Sequence, residues 1–265
     1  MGIYRRVFTT AAVCFAIQIG GCKSVSPETD LKIIRGKEIS ATENPSVIAL
    51  VDSRTKQIYC TGTRTSPSVV LTAEHCLQRF PHITIDGVFP NLAIRSVLSA
   101  AEHSGGMHDL GVLSFRKEVD GPVAKFAPKG PVLGQEVIII GFGASTCETP
   151  ESSGTKRMGK NIVQRAEVST FSIGNSLARQ PSSPVSVDNS ITYLGDSGGP
   201  AFLNGKLAGV LSAGVCDKYS VFVDLHSDFS AKFLSQAVGA GANIPGIQPS
   251  TEHDLIQVLR ANPAF

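Results

Sequence analysis

The chain has 265 residues, enough for one large all-β unit or two ordinary domains, and 42% of them are hydrophobic against 17% charged. That balance supplies a sizeable core and excludes global disorder. The formal net charge of +2 gives no basis for a nucleic-acid partner, and frequent Gly (26) and Pro (15) without Trp suit short strands joined by many turns.

The N-terminus reads as a targeting segment. Arg5 and Arg6 form a basic start, and Val7 to Ile19 is apolar but too short to span a bilayer. It ends in Ile19-Gly20-Gly21-Cys22, which resembles the lipobox of bacterial lipoproteins, where the signal is removed before the cysteine and the cysteine is acylated. Residues 1–21 are therefore expected to be a lipoprotein-type signal and Cys22 the lipidation site; ordinary secretory cleavage nearby is the alternative. Lys23 favours an outer-membrane over an inner-membrane destination, and release would place the protein in the periplasm or outside the cell. No later segment has the length and apolarity of a transmembrane helix. Of six cysteines, Cys14 leaves with the signal and Cys22 is odd among the rest. Cys60, Cys76, Cys147 and Cys216 can pair in an oxidising compartment, in any of three connectivities.

Residues 22–32 read as a polar propeptide or linker. From Ile33 onward, short β-rich runs alternate with turn residues: 47–51, 68–72, 83–85, 111–115, 136–140, 206–211 and 220–223. This spacing predicts a barrel or sandwich rather than alternating βα units. Gly121-Pro122 and Lys129-Gly130-Pro131 mark a soft boundary near Val119–Pro131. Ser145–Gly159 and Gly174–Asn189 read as long surface loops. Asp228–Val238 has helical spacing in Phe229, Phe233 and Leu234, and Thr251-x-x-Asp254 predicts a second short capped helix over Thr251–Arg260.

Three local motifs carry chemistry. They are Thr72-Ala73-Glu74-His75-Cys76, then Asp109-Leu110-Gly111-Val112-Leu113, then Gly195-Asp196-Ser197-Gly198-Gly199-Pro200. A serine hydroxyl is a weak nucleophile until a base takes its proton and a third group holds the base in place. Ser197, His75 and Asp109 supply those three types. With Ile33-Ile34-Arg35-Gly36 ahead of them, their order resembles the chymotrypsin/trypsin-like serine peptidase family, and differs from subtilisins and α/β-hydrolases.

The resemblance implies an all-β fold of two six-stranded antiparallel β-barrels with the active site between them, and a short C-terminal helix. The peptidase domain would cover 33–238, with barrels about 33–125 and 126–227, followed by an extension over 239–265. Ser197 would be the nucleophile, His75 the general base and then acid, and Asp109 its orienter. The N–H groups of Gly195 and Ser197 would form the oxyanion hole. Cleavage after Lys32 would free the amine of Ile33 to pair with Asp196, making the chain a zymogen. Ile191, Gly214 and Ser220 would line the specificity pocket, and Ser212 and Gly214 would bond the substrate backbone. Ile191 stands where trypsin-like members carry an aspartate, which implies an apolar preference and an outside, trypsin-like activator that cuts after Lys32.

Cys60 and Cys76 match the family disulfide beside the histidine. Tyr193 replaces the common cysteine at the pocket, so the resemblance pairs Cys216 with Cys147. Other departures are Ala213 and Phe142, both where tryptophan is common, and Glu74 before the histidine. His103 and His108 read as loop residues rather than metal ligands, and no cofactor is expected. The expected partners are a polypeptide substrate, the activating protease, and a membrane through the lipid on Cys22 until activation releases the domain. The alternatives are a catalytically silent binding module that kept the fold, or a purely structural surface lipoprotein.

Overall fold

The computed structural model describes residues 33–79, 83–85, 94–99, 108–115, 118, 120–148, 154–174 and 189–249. The signal segment, Cys22, Lys32, His103, nearly all of the loop 174–189 and the segment Thr251–Arg260 lie outside them. The chain opens with β1 (Lys37–Glu38), followed by β2 (Val47–Asp52), β3 (Ile58–Ser66) and β4 (Val69–Thr72). A 310 turn over Glu74–Arg79 precedes β5 (Ile83–Ile85), β6 (Ile94–Ser99) and β7 (Gly111–Phe115). The second half holds β8 (Glu136–Gly141), β9 (Arg157–Ala166), β10 (Thr170–Gly174), β11 (Pro200–Leu203), β12 (Lys206–Val215), β13 (Tyr219–Asp224) and helix α1 (Asp228–Gly239).

Two antiparallel sheets result. The first runs β5-β2-β3-β4-β7-β6, and the second β1-β9-β10-β13-β12-β11-β8 with β8 also paired to β9. That extra ladder closes six strands of the second sheet into a barrel and leaves β1 attached outside the ring. In the first sheet β5 and β6 stand at the two ends of the order. Strands β2 and β7, apolar but for Asp52 and Ser114, are buried along their whole length. Between the sheets one core joins Val47, Leu71, Leu110 and Val112 to Ile140, Leu207, Val210 and Val223.

The N-terminal stretch departs from the expected division at about residue 125. Ile34 bridges Ile191, and Lys37 pairs with Met158, so the segment from Ile33 to Glu38 belongs to the second sheet although it precedes the first in the chain. The cause is burial: Ile33 is fully enclosed with Val137, Ile139, Val163, Ile173 and Phe222 inside that sheet. The loop expected over Ser145–Gly159 is also shorter, because Arg157–Gly159 already belong to β9.

Helix α1 forms as its pattern predicts. Ser227 caps it, its Oγ accepting from the Ser230 N–H at 3.2 Å, and Phe233, Leu234 and Ala237 enter the core between the sheets. Both disulfides are formed. Cys60–Cys76 ties β3 to the 310 turn, and Cys147–Cys216 ties the loop after β8 to the β12–β13 hairpin. Replacing Cys147 and Cys216 with serine is expected to cost roughly 4 kcal/mol, and the shorter Cys60–Cys76 loop roughly 3 kcal/mol. Urea denaturation of the two double variants checks that order.

Candidate active site

Strand register brings the first two motifs together. Thr72 at the end of β4 pairs with Gly111 at the start of β7, so residues just after one and just before the other share an edge of the sheet. Gly111 permits this approach, since a Cβ there would lie 2.7 Å from Leu77 Cδ1 and 3.2 Å from the Ala73 carbonyl. Asp109 then meets His75 twice: Oδ2 lies 2.7 Å from His75 Nδ1, and Oδ1 accepts from the His75 N–H at 2.9 Å. The Ser212 hydroxyl donates to Asp109 Oδ2 at 2.8 Å.

These bonds set the protonation states. The hydrogen bond to Asp109 raises the pKa of His75 above its ordinary value, against burial, with further help from the charges of Asp109 and Glu74. Burial pushes Asp109 up, but its bonds from His75 and Ser212 outweigh that and hold the carboxyl below the usual range. Asp109 thus holds the imidazole in one orientation, and the pair favours a charged carboxylate beside a more basic ring.

The third motif docks against the first. Gly198 has φ +79, and a Cβ there would lie 2.0 Å from Thr72 Oγ1 and 2.8 Å from the Ala73 nitrogen. Only glycine lets the serine turn sit on the chain leading to His75. The Ser197 carbonyl accepts from the Thr61 N–H at 2.8 Å, and the Thr61 hydroxyl donates to the Gly195 carbonyl at 2.9 Å. The Leu194 carbonyl accepts from the Ala144 N–H at 2.7 Å. In a planar trans peptide the N–H points away from the carbonyl, so the Gly195 N–H faces the side opposite Ala144. Among the described residues no acceptor takes the N–H of Gly195 or of Ser197.

Asp196 is 1% exposed and accepts from the Gly143 N–H at 2.8 Å and the Tyr193 N–H at 2.9 Å. Burial pushes its carboxyl up to about 6, partly offset by those two bonds and by the charge of Arg157. Ile33 lies in the core of the second sheet beside Ile191, with the Ile34 carbonyl accepting from the Ile191 N–H at 3.0 Å. Ile191 is itself buried there. Next to it, Thr192 Oγ1 and Ser220 Oγ are 2.6 Å apart, and Gly214 faces Ser220 across the β12–β13 ladder. Arg35 and Asp217 form an ion pair at a cavity of about 140 Å³ that Ile191 and Lys218 also line.

The His108 ring packs against Phe229 of α1, with ring centroids 4.1 Å apart and the planes tilted by 43°. Cys60, His75 and Cys76 lie together, but the two sulfurs are bonded to each other and offer no thiolate to a metal. Four contributions had no signal in the sequence. Thr61, Arg157, the Thr192 hydroxyl and the Ser212 hydroxyl act across separations that only the folded sheets close.

Residues 33–230 match the model of the trypsin family. The chain is 25% identical over 244 residues to trypsin alpha of Drosophila melanogaster, covering 84% of this chain and 92% of that one. It is 24% identical to a vitellin-degrading protease of Bombyx mori, covering 77% and 84%. An uncharacterized peptidase of Corynebacterium glutamicum (strain R) is 26% identical, covering 77% and 72%. Among solved structures, mouse neuropsin, a serine protease expressed in the limbic system of the brain, superposes with a TM-score of 0.56 at 19% identity. That match covers 71% of this chain and 93% of neuropsin, and it speaks for the fold.

Proposed function

The chain belongs to the trypsin family and is a serine endopeptidase, and from that premise we propose that Ser197, His75 and Asp109 carry out the hydrolysis through an acyl-enzyme. The observation that carries this reading is the pairing of His75 Nδ1 with Asp109 Oδ2 at 2.7 Å, on the turn against which Gly198 is packed. His75 takes the proton of Ser197 Oγ as the oxygen attacks the substrate carbonyl carbon. Asp109 stabilises the imidazolium, and the N–H groups of Gly195 and Ser197 receive the oxyanion. His75 then returns the proton to the leaving amine; water, deprotonated by the same imidazole, attacks the acyl carbon, and that proton passes to Ser197 Oγ as its bond to the acid product breaks. The described closed sheet and its six-stranded neighbour are read as two barrels meeting at this cleft.

The preferred residue at the scissile bond is apolar. Ile191, Gly214, Ser220 and Thr192 bring no carboxylate to the pocket, and Asp217 is already paired with Arg35. Ser212 and Gly214, on β12, offer backbone to an extended substrate. A peptide library digested by protein starting at Ile33 is expected to be cut after apolar residues. Cleavage confined to Lys and Arg would reject the pocket assignment, and a folded, correctly cut protein that cleaves nothing would favour the silent binding module.

Activation is assigned to cleavage after Lys32 by a trypsin-like protease, with the new ammonium of Ile33 pairing with Asp196. The burial of both residues supports it: an enclosed carboxylate gains from a cation beside it. An α-amino group paired in this way has its pKa raised above the reference of about 7.7–8, so the added activity is present below that range and is lost as pH rises through the raised value. The cut form is therefore expected to lose activity at alkaline pH and fall toward the level of the uncut chain; a profile flat well above that range would reject the pairing. Residues 1–21 and 22–32 are read as signal and propeptide. If Cys22 carries lipid, the same cleavage frees the catalytic domain from the membrane.

A further inference from the structure

Among the described residues five large hydrophobic side chains are exposed: Val132, Leu133, Val168, Leu194 and Val215. Leu194 and Val215 adjoin Gly195 and Gly214 at the proposed substrate site. The other three stand on turns, with Val132 52%, Leu133 67% and Val168 90% exposed, and have no part in the mechanism above.

Strand register places those turns at one end of the closed second sheet. The ladder of Ala201 with Ile139 and Phe202 with Ile138 sets the β11–β12 turn at Asn204-Gly205 beside residues 131–135, which lead into β8. Glu136 at the start of β8 pairs with Ile162, so β9 runs on past it to the β9–β10 turn that carries Val168. At the other end of the same strands, β8 finishes at Gly141, β12 finishes at Val215, and β11 opens directly after the serine turn. The three apolar tips therefore lie at the end of the sheet opposite Ser197. Both tips are fixed rather than loose. The Gln135 N–H donates to the Val132 carbonyl at 3.1 Å and the Gly134 N–H to the Val163 carbonyl at 2.9 Å, while the Glu167 N–H donates to the Thr170 carbonyl at 2.7 Å.

The same end carries uncompensated positive charge. Lys125, Lys129 and Lys206 are exposed. The Lys125 carbonyl accepts from the Leu207 N–H at 2.8 Å, which sets Lys125 beside Lys206, and Lys129 stands two positions before Pro131. None of the three has an ion-pair partner among the described residues. Nearby acids are already matched: Glu136 with Lys160 at 3.3 Å, Glu167 with Arg165 at 2.5 Å, and Asp224 with His226 at 3.5 Å. Asp228, in the first turn of α1, offsets only part of the excess. A stable protein partner needs roughly 800 Å² of matched surface on each side, which separate turn tips do not offer. Apolar tips ringed by lysines match a bilayer instead, where alkyl groups enter the interface and ammonium groups meet lipid phosphates.

We propose that this end of the second sheet docks on an anionic phospholipid surface, with Val132, Leu133 and Val168 in the headgroup layer, Lys125, Lys129 and Lys206 against the phosphates, and the serine turn facing away from the membrane. The surface is separate from the residues assigned to hydrolysis and from Cys22. A domain freed by cleavage after Lys32 can return to a bilayer through it.

The chain has no tryptophan, so one introduced by substitution reports alone. In protein starting at Ile33, which keeps every described element and lacks Cys22, Leu133→Trp is expected to shift its emission to the blue on adding vesicles of equal parts phosphatidylglycerol and phosphatidylcholine. Phosphatidylcholine vesicles alone should leave it unchanged, and Val215→Trp, at the opposite end, should not respond to either. In cosedimentation with the mixed vesicles, Leu133→Ser combined with Val168→Ser is expected to weaken binding about tenfold or more. Glutamine at 125, 129 and 206 together is expected to weaken it about 100-fold, at about fivefold per lysine, and to remove most of its salt dependence. Ester hydrolysis in solution stays at the parent rate in both variants. No binding by the parent protein, equal binding to neutral vesicles, a shift at residue 215 instead of 133, or binding that survives both sets of substitutions would overturn the proposal. A dimer in vesicle-free solution that the serine substitutions dissociate would also overturn it, by giving this face to a second copy of the chain.

Discussion

Replacing Ser197 with alanine is expected to lower kcat of the cut enzyme by about a million-fold, with KM and thermal stability close to wild type. The change removes one oxygen and nothing else. The Ser197 carbonyl keeps its bond from the Thr61 N–H, Gly198 stays on Thr72, and the N–H groups of residues 195 and 197 are retained. The variant still binds substrate and still offers the oxyanion donors, but it has no nucleophile to form an acyl-enzyme. Stopped-flow ester hydrolysis and a melting curve on the same sample check it. A fall of less than about a hundredfold with the fold intact would mean that the acyl group is carried elsewhere.

The second large effect belongs to Asp109→Asn. The amide keeps the shape of the side chain but loses its charge, and a site of this kind then falls about 10,000-fold in kcat. It also changes the pH profile, and the sign follows from the geometry. His75 must be neutral to act as base, so kcat/KM rises as pH passes its pKa. That pKa is held above its ordinary value chiefly by the hydrogen bond to Asp109. Without the carboxylate the acid limb should move to lower pH while the plateau drops. A limb that stays in place would show that Asp109 does not set the charge state of His75.

Much of this site is legible in the sequence because each proposed catalytic group comes with its local support. Gly198 beside Ser197 and Gly111 beside Asp109 are the residues that close packing demands, and each sits within two positions of the group it serves. Strands β2, β7 and β8 announce themselves as apolar runs, and α1 by the spacing of Phe229, Phe233 and Leu234. Strand β3 is harder to read. Its sequence, Ile58 to Ser66, is rich in threonine and carries Arg64, yet most of it is buried. Strand β9 is polar and half-exposed, and owes its place to pairing with β1, β8 and β10 rather than to hydrophobicity.

The segment from Ile33 to Glu38 shows the same limit from another side. Its motif reads as an activation site, but its membership of the second sheet depends on a core built by residues over a hundred positions away. Arg157 sits in what reads as a loop, and its bond to the Gly143 carbonyl exists only once β8 and β9 have paired. Long-range hydrogen bonds between polar groups leave no periodicity in a sequence. Nearest-neighbour packing does.

The most direct measurement is the mass of the adduct formed when protein starting at Ile33 reacts with an aryl phosphonate, followed by mapping of the modified peptide. One adduct per chain is expected, located on Ser197, absent from Ser197→Ala and slowed by protonation of His75 at low pH. A folded, correctly cut protein that takes up no phosphonate, or takes it up equally after Ser197→Ala, would contradict it.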